Sequence, residues 1–310
     1  MPLSSTIHRD RALENVSVAY QMGNFIADAA SPMIKVQHET DLFYVYSRDN
    51  MRIPETLRAN GAESNRSDWA LSTGTYRLLE HAQQQIITDR DRANADAAIK
   101  LDVDTTQFLT GIIQGRRELD LATFVGTVGN WATVASLTST LQWDDNTSLS
   151  NPITVVDSVT AVVIRESGLV PNTLIINEPT FRGAKEHTST VDRIKYTSAE
   201  SITEGILASL FNVKEVLVGR ASRITSDEGL AETTGFMWTD LALLFYKETS
   251  PSLKKVGTLH TLWSNAQGSP YVVKRWRDEP RSGDVIEVSA IFDNMAMATL
   301  AAAAINDTAN

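Results

Sequence analysis

Cysteine is absent from the 310 residues, which excludes disulfides, thiolate nucleophiles and thiolate metal ligands together. Lysine is missing from His38 through Ile99, the nearest being Lys35 and Lys100. No apolar run is long enough to span a bilayer, since ITVVDSVTAVVI and AMATLAAAAI are too short or too interrupted. The opening MPLSSTIHRDRALENV has no apolar stretch of the kind a secretory signal needs. Basic residues are outnumbered, 28 against 38 acids, for a net charge of −10. That sign argues against general adhesion to nucleic acid while leaving room for a local basic patch. Together these absences fit cytoplasmic synthesis and no membrane partner.

Recognisable catalytic signatures are missing too. GxSxG, Walker A and GxGxxG do not occur, and Ser252 and Lys255 form an S-x-x-K without its companion motifs. The histidines (His8, His38, His81, His187, His260) are scattered outside metal-binding spacings and read as surface or packing residues. No cofactor or metal is expected. The acid pairs Asp89/Asp91 and Asp102/Asp104 could hold a cation, but they read better as helix-flanking charges that favour the positive end of a helix dipole. In VVKRWRDEPR, basic residues surround Trp276, a pattern compatible with base stacking. Asp278, Glu279, Asp284 and Glu287 stand opposite in the same hairpin, so cross-strand ion pairing is the expected use.

What is present is a mixture of extended and helical segments of α+β type. Residues 1–40 read as an extended arm with apolar anchor points such as VSVAY and FIADAASPMIKV. Asp41–Tyr46 and Trp69–Leu79 are strand-like, and between them lies a polar excursion, SRDNMRIPETLRANGAESNR, whose Asn60-Gly61 pair is a hairpin-tip signal. A helix of about 20 residues follows, with Asp104 as candidate N-cap and Gln107 completing a capping box. Phe108, Leu109, Ile112, Ile113, Leu119 and Ala122 form its apolar face, with Arg116, Arg117 and Glu118 on the other side. From Gly129 the pattern is α/β. Asn151, Pro152 and Gly168 bracket one helix, NTLIIN is a buried strand, and Pro179 opens a short helix. ITEGILASLF reads as helix, KEVLVGRASRI and LALLFYKE as strands, and PYVVKRWRDEPRSGDVIEVSAIF as a hairpin turning at Asp278–Gly283.

An ordered series of stretches resembles the tailed-bacteriophage major capsid proteins: NVSVAY, FYVYSRDN, RANAD, GRRELDLATF, PNTLIINEPTFRGAKEH, FNVKEVLVGRA and VVKRWRDEPRSGDVIEVS. The resemblance implies the Hong-Kong-97-type capsid fold. It divides the chain into an N-terminal arm (1–40), an E-loop hairpin (41–88), a peripheral domain with a long spine helix (89–128), an axial domain (129–264) and strands returning to both domains (265–310). It further implies self-assembly through hexamers and pentamers into an icosahedral virion shell around double-stranded DNA that is not specifically bound. A portal protein, a scaffolding protein and, in some shells, a decoration protein would be partners.

The excursion would then be covered by a neighbouring subunit, with inter-subunit contacts expected at Phe25, Ile26, Arg48, Arg52, Arg58, Arg66 and Trp69. Arm-like sequence begins by Asn15, so the scaffold is expected to be a separate protein and the shell subunit to remain full length. Without lysine near the E-loop tip, covalent cross-linking is not expected, because a guanidinium cannot supply the neutral amine an isopeptide bond requires. A hydrolase built on the α/β half, or a nucleic-acid module using KRWR, would be the alternatives.

Overall fold

The computed structural model describes residues 24–46, 51–68, 71–95, 101–138, 140–145, 149–195, 202–248, 257–264 and 269–309. Two five-stranded sheets share one long helix. The first sheet collects strands from both ends of the chain: β1 (Met33–Val36), β4 (Leu79–Thr88), β11 (Leu259–Ser264), β12 (Val272–Asp278) and β13 (Gly283–Ala296). β13 is its axis. β4 runs antiparallel along one edge of β13, while β12 and β11 lie end to end along the other, with β1 parallel to β11 outside. The second sheet has the order β5 (Thr133–Ser136), β14 (Ala302–Asn306), β10 (Leu241–Phe245), β6 (Thr173–Asn177) and β7 (Glu215–Gly219). β6 and β10 are buried at every position, as expected of central strands covered on both faces.

Helix α3 (Leu101–Gly126) follows the short helices α1 (Ala27–Ala30) and α2 (Asp89–Asn94). Its 26 residues rise about 39 Å, enough to reach both sheets. Leu109 and Ile113 pack on Ile286, Val288 and Phe292 of the first. Leu121, Ala122 and Val125 pack beneath β10 and β14 of the second, together with Ile26, Ala27 and Ala30 of the arm. The opposite face of the second sheet is covered by α4 (Pro152–Ser167), whose Val156, Val159 and Val163 are buried, and by α5 (Glu178–Glu186) and α7 (Glu204–Leu210). The short helix α6 (Thr188–Ile194) follows α5 directly.

Local chemistry sets these boundaries. The Asn151 side chain accepts from the amides of Ile153 and Thr154, and Gly168 ends α4 in the left-handed region at φ +71. Asn177 caps α5 through the amide of Thr180. α3, by contrast, is already helical at Leu101, so Asp104 lies inside it rather than capping it, and Asp102 and Asp104 sit in the first described turn, where a helix dipole favours acids. The expected strand 214–224 breaks at Arg220 into β7 and β8 (Ser222–Ile224), which pairs with β9 (Thr234–Phe236).

Candidate inter-subunit surface

Among the described residues, β2 (Thr40–Tyr46) pairs only with β3 (Leu71–Arg77), in seven registered positions, and neither strand joins a larger sheet. The base of the ribbon is anchored, since Tyr76 and Phe43 pack with Ile34, Val36, Leu262 and Met295 of the first sheet. At the end of this ribbon hang residues 51–68, and every one of them is exposed. Ile53 is 92% and Leu57 85% accessible, values that make sense for apolar side chains whose cover is another molecule.

The excursion is ordered by its own polar contacts. Gly61 turns at φ +84, Ala62 N–H donates to Ala59 C=O at 3.1 Å, and Asn65 Nδ2 donates to Glu55 C=O at 2.8 Å. Arg58 Nε donates to Ala62 C=O at 2.5 Å. Its base approaches the body at α4's end, where a Cβ built on Gly168 would meet the Met51 methyl at 3.3 Å.

A second constellation fixes the arm. Glu118 is fully buried in α3, and its carboxylate accepts from Ile26 N–H at 3.1 Å, Ala27 N–H at 2.7 Å and Trp238 Nε1 at 2.7 Å. Burial pushes this carboxyl above the ordinary range, while those donors and the adjacent Arg117 charge pull it back. Arg117, 2% exposed, pairs with Asp28 and donates to Ser31 C=O at 2.9 Å. Ser31 Oγ in turn shares a hydrogen bond with Thr261 Oγ1 of β11 at 2.9 Å. One helical step thus ties the arm, the helix and both sheets together.

A third cluster absorbs the basic hairpin. Arg277 grips Asp89 through two bonds of 2.6 Å, and Arg275 bonds Asp284 at 2.8 Å and reaches Asp102 at 3.4 Å. Arg92 bridges Asp102 at 2.6 Å and Asp284 at 3.1 Å, and Lys274 pairs with Glu287 at 3.3 Å. The Arg277 hydrogen bond holds the Asp89 carboxyl low, and Arg275 does the same for Asp284. These cations already have carboxylate partners, so the expected cross-strand pairing is present and the phosphate-binding alternative loses its donors.

Of the residues expected at a subunit boundary, Arg52, Arg58 and Arg66 lie on the exposed excursion. Arg48 and Trp69, like Ser252 and Lys255, fall outside the described residues. Ile26 requires a correction. It is 9% exposed inside its own chain's core, with Phe25 half-buried against the same cluster, because their neighbouring amides are drawn onto Glu118. Arg117 and Glu118 are a further correction: they are buried joints rather than a solvated face. Their only trace in the sequence is a charged triplet, Arg116 to Glu118, inside an otherwise amphipathic helix.

Comparison with known proteins bears directly on this architecture. No family model matches the chain. It is 26% identical over 215 residues to the major capsid protein of Burkholderia phage BcepMu, covering 68% of this chain and 69% of that protein. A crystal structure of a phage-related protein from Bordetella bronchiseptica RB50 superposes with TM-score 0.73 at 20% identity, over 96% of this chain and 97% of that one. The capsid of Cyanophage P-SCSP1u gives TM-score 0.60 at 9% identity, over 93% and 89%. The chain is thus similar to phage major capsid proteins. Its fold is the Hong-Kong-97-type capsid fold.

Proposed function

We propose that this protein is a phage major capsid protein that closes through hexamers and pentamers into an icosahedral shell containing densely packed double-stranded DNA. The observation that carries the reading is the fully exposed excursion 51–68 at the far end of a two-stranded ribbon. Such a segment gains its cover by lying across a second copy, and repeating one contact around closed rings satisfies every copy equally. Arg52, Arg58 and Arg66 against Glu55 and Glu63 suit this boundary better than an oily patch would, because subunits must stay soluble before they meet. The net charge of −10 keeps affinity for phosphate weak, as suits a container that must release its contents.

The first sheet with the N-terminal half of α3 corresponds to a peripheral domain, and the second sheet to an axial domain near capsomer centres. A portal and a separate scaffolding protein complete the assembly, with a decoration protein as an optional addition. The protein is made in the bacterial cytoplasm and ends in the virion. It acts mechanically and not as an enzyme. Negative-stain electron microscopy of the expressed full chain, alone and with its phage's scaffold, is the test. Closed shells support the reading, and a persistent monomer under both conditions overturns it.

A further inference from the structure

Asn60-Gly61 is the only Asn-Gly pair in the chain, and no Asp-Gly occurs. It stands at the tip of the excursion, and both residues are exposed. Ala62 N–H closes a four-residue turn onto Ala59 C=O at 3.1 Å. Gly61, at φ +84, takes the third place of that turn, the one where a type II turn demands a positive φ. A Cβ built on Gly61 would meet nothing within 4 Å, so solvent has open access to its amide. Among the described residues, neither the Gly61 N–H nor the Asn60 carboxamide has a hydrogen-bond partner. An unbonded amide nitrogen beside a free carboxamide, with no side chain to crowd the approach, favours attack of one on the other within the same chain.

We propose that Asn60 is a self-modification site of the uncovered excursion, converting to isoaspartate and aspartate, and that a neighbouring subunit laid over the excursion stops the reaction. Hydroxide removes the Gly61 amide proton, and the nitrogen forms a bond to Asn60 Cγ. The Cγ–Nδ2 bond breaks and ammonia leaves, which closes a five-membered succinimide. Water then opens the ring. Cleavage between the nitrogen and Cγ gives aspartate, whereas cleavage between the nitrogen and the main-chain carbonyl carbon gives isoaspartate, whose chain runs on through Cβ and Cγ. Water and hydroxide are the only reagents. Rotation into the ring geometry is restrained by exposed contacts alone, the Ala62-to-Ala59 bond and Arg58 Nε on Ala62 C=O.

Both products place a new carboxylate at the tip. The described excursion balances Arg52, Arg58 and Arg66 against Glu55, Glu63 and Asp68, so one more acid turns a neutral surface negative. Isoaspartate also lengthens the main chain by a methylene inside the Ala59–Ala62 turn. Asn65 supplies the contrast. It is also exposed, but its Nδ2 donates to Glu55 C=O at 2.8 Å, and the side chain of Arg66 crowds the nitrogen that would attack it.

Trypsin cuts after Arg58 and Arg66, so a single peptide, residues 59–66, reports both asparagines. The purified full chain, kept unassembled by dilution, is aged at neutral and mildly alkaline pH. The peptide is then read by mass spectrometry with fragmentation that separates isoaspartate from aspartate. Expected is conversion at Asn60 severalfold faster than at Asn65, quickening with hydroxide and including isoaspartate. Asn60→Gln should remove the signal, since its ring would need six members. Equal rates at Asn60 and Asn65, or conversion of Asn60 to aspartate alone, overturn the proposal.

Closed shells aged in parallel should keep Asn60 unconverted severalfold longer, and equal rates in shells and free subunits overturn the protection. This arm alone rests on the shell reading above, and micrographs separate the two. Absence of shells refutes that reading, while the unassembled chain still decides the chemistry at Asn60.

Discussion

Replacing Glu118 with alanine should free the arm. Three donors would lose their acceptor together: the amides of Ile26 and Ala27 and the Trp238 indole, at 3.1, 2.7 and 2.7 Å. Each orphaned buried donor costs about 1–3 kcal/mol, and water entering the vacated space recovers part of that. The sum is roughly 3–6 kcal/mol, against a total stability of order 5–15 kcal/mol for a folded domain. Glu118→Gln keeps the shape and one acceptor oxygen, so its loss should be smaller.

The sign of the pH effect follows from the raised carboxyl. The folded state holds this proton more tightly than the unfolded chain, so the contribution of Glu118 falls as pH rises from about 4.5 and is flat above the raised value. Urea unfolding of unassembled subunits, followed by tryptophan emission, reads the stability, and trypsin reads the arm through exposed Lys35. The expected result is a lower midpoint at unchanged slope, with rapid cleavage at Lys35. Unchanged midpoint and trypsin resistance in Glu118→Ala would show that the carboxylate does not hold the arm.

Deleting Pro54–Asn65 should leave the subunit folded, since that segment contributes nothing to the core, while abolishing stable shells; unfolding of the unassembled variant by circular dichroism would refute this. Mature particles, boiled and run under denaturing conditions, should give one band at 34.1 kDa, because Arg52, Arg58 and Arg66 cannot form isopeptide bonds and no lysine lies between His38 and Ile99. A ladder of ring-sized species would contradict it. Asp89 and Asp284 are held low by Arg277 and Arg275, so what they contribute is complete above the ordinary value of 3.8 and lost as pH falls through their lowered values. Hydrogen exchange in α2 and at the β12–β13 turn should therefore stay slow to about pH 4 and quicken below it, and protection unchanged at pH 2 would refute the latch.

Much of this architecture was legible because local chemistry and tertiary context agree. Asn151, Pro152 and Gly168 mark α4 by capping rules alone, and the β12–β13 hairpin announces itself through opposed charges. The excursion was visible as a polar stretch between two strand-like runs. The failures occur where long-range contacts decide. Ala302, Ala303 and Ala304 carry helix propensity, so residue preference alone would not place them in an interior strand, and it is pairing with β5 and β10 that does. LEHAQQQIIT is too polar to advertise itself as a ten-residue strand, and its place is set by pairing with residues some two hundred positions later. Arg117 and Glu118 look like a solvated face until the arm, far away in sequence, arrives with the groups they bind. The exposure of residues 51–68 was visible only as a lack of apolar cover in the sequence.

The first sheet is assembled from residues 33–36, 79–88 and 259–296, and the second takes residues 302–306 between two of its strands. Pairings of such separation carry a large loop-closure cost and form late. During synthesis the ribbon and excursion emerge long before β11, β13 and β14 exist to complete the body that carries them. A nascent or interrupted chain broken before Ala302 lacks an interior strand of one sheet, and one broken before Leu259 lacks the axis of the other. Such fragments cannot present the rigid geometry a neighbour must match, so the interlaced topology works as a length check: only chains translated past these strands qualify as building units.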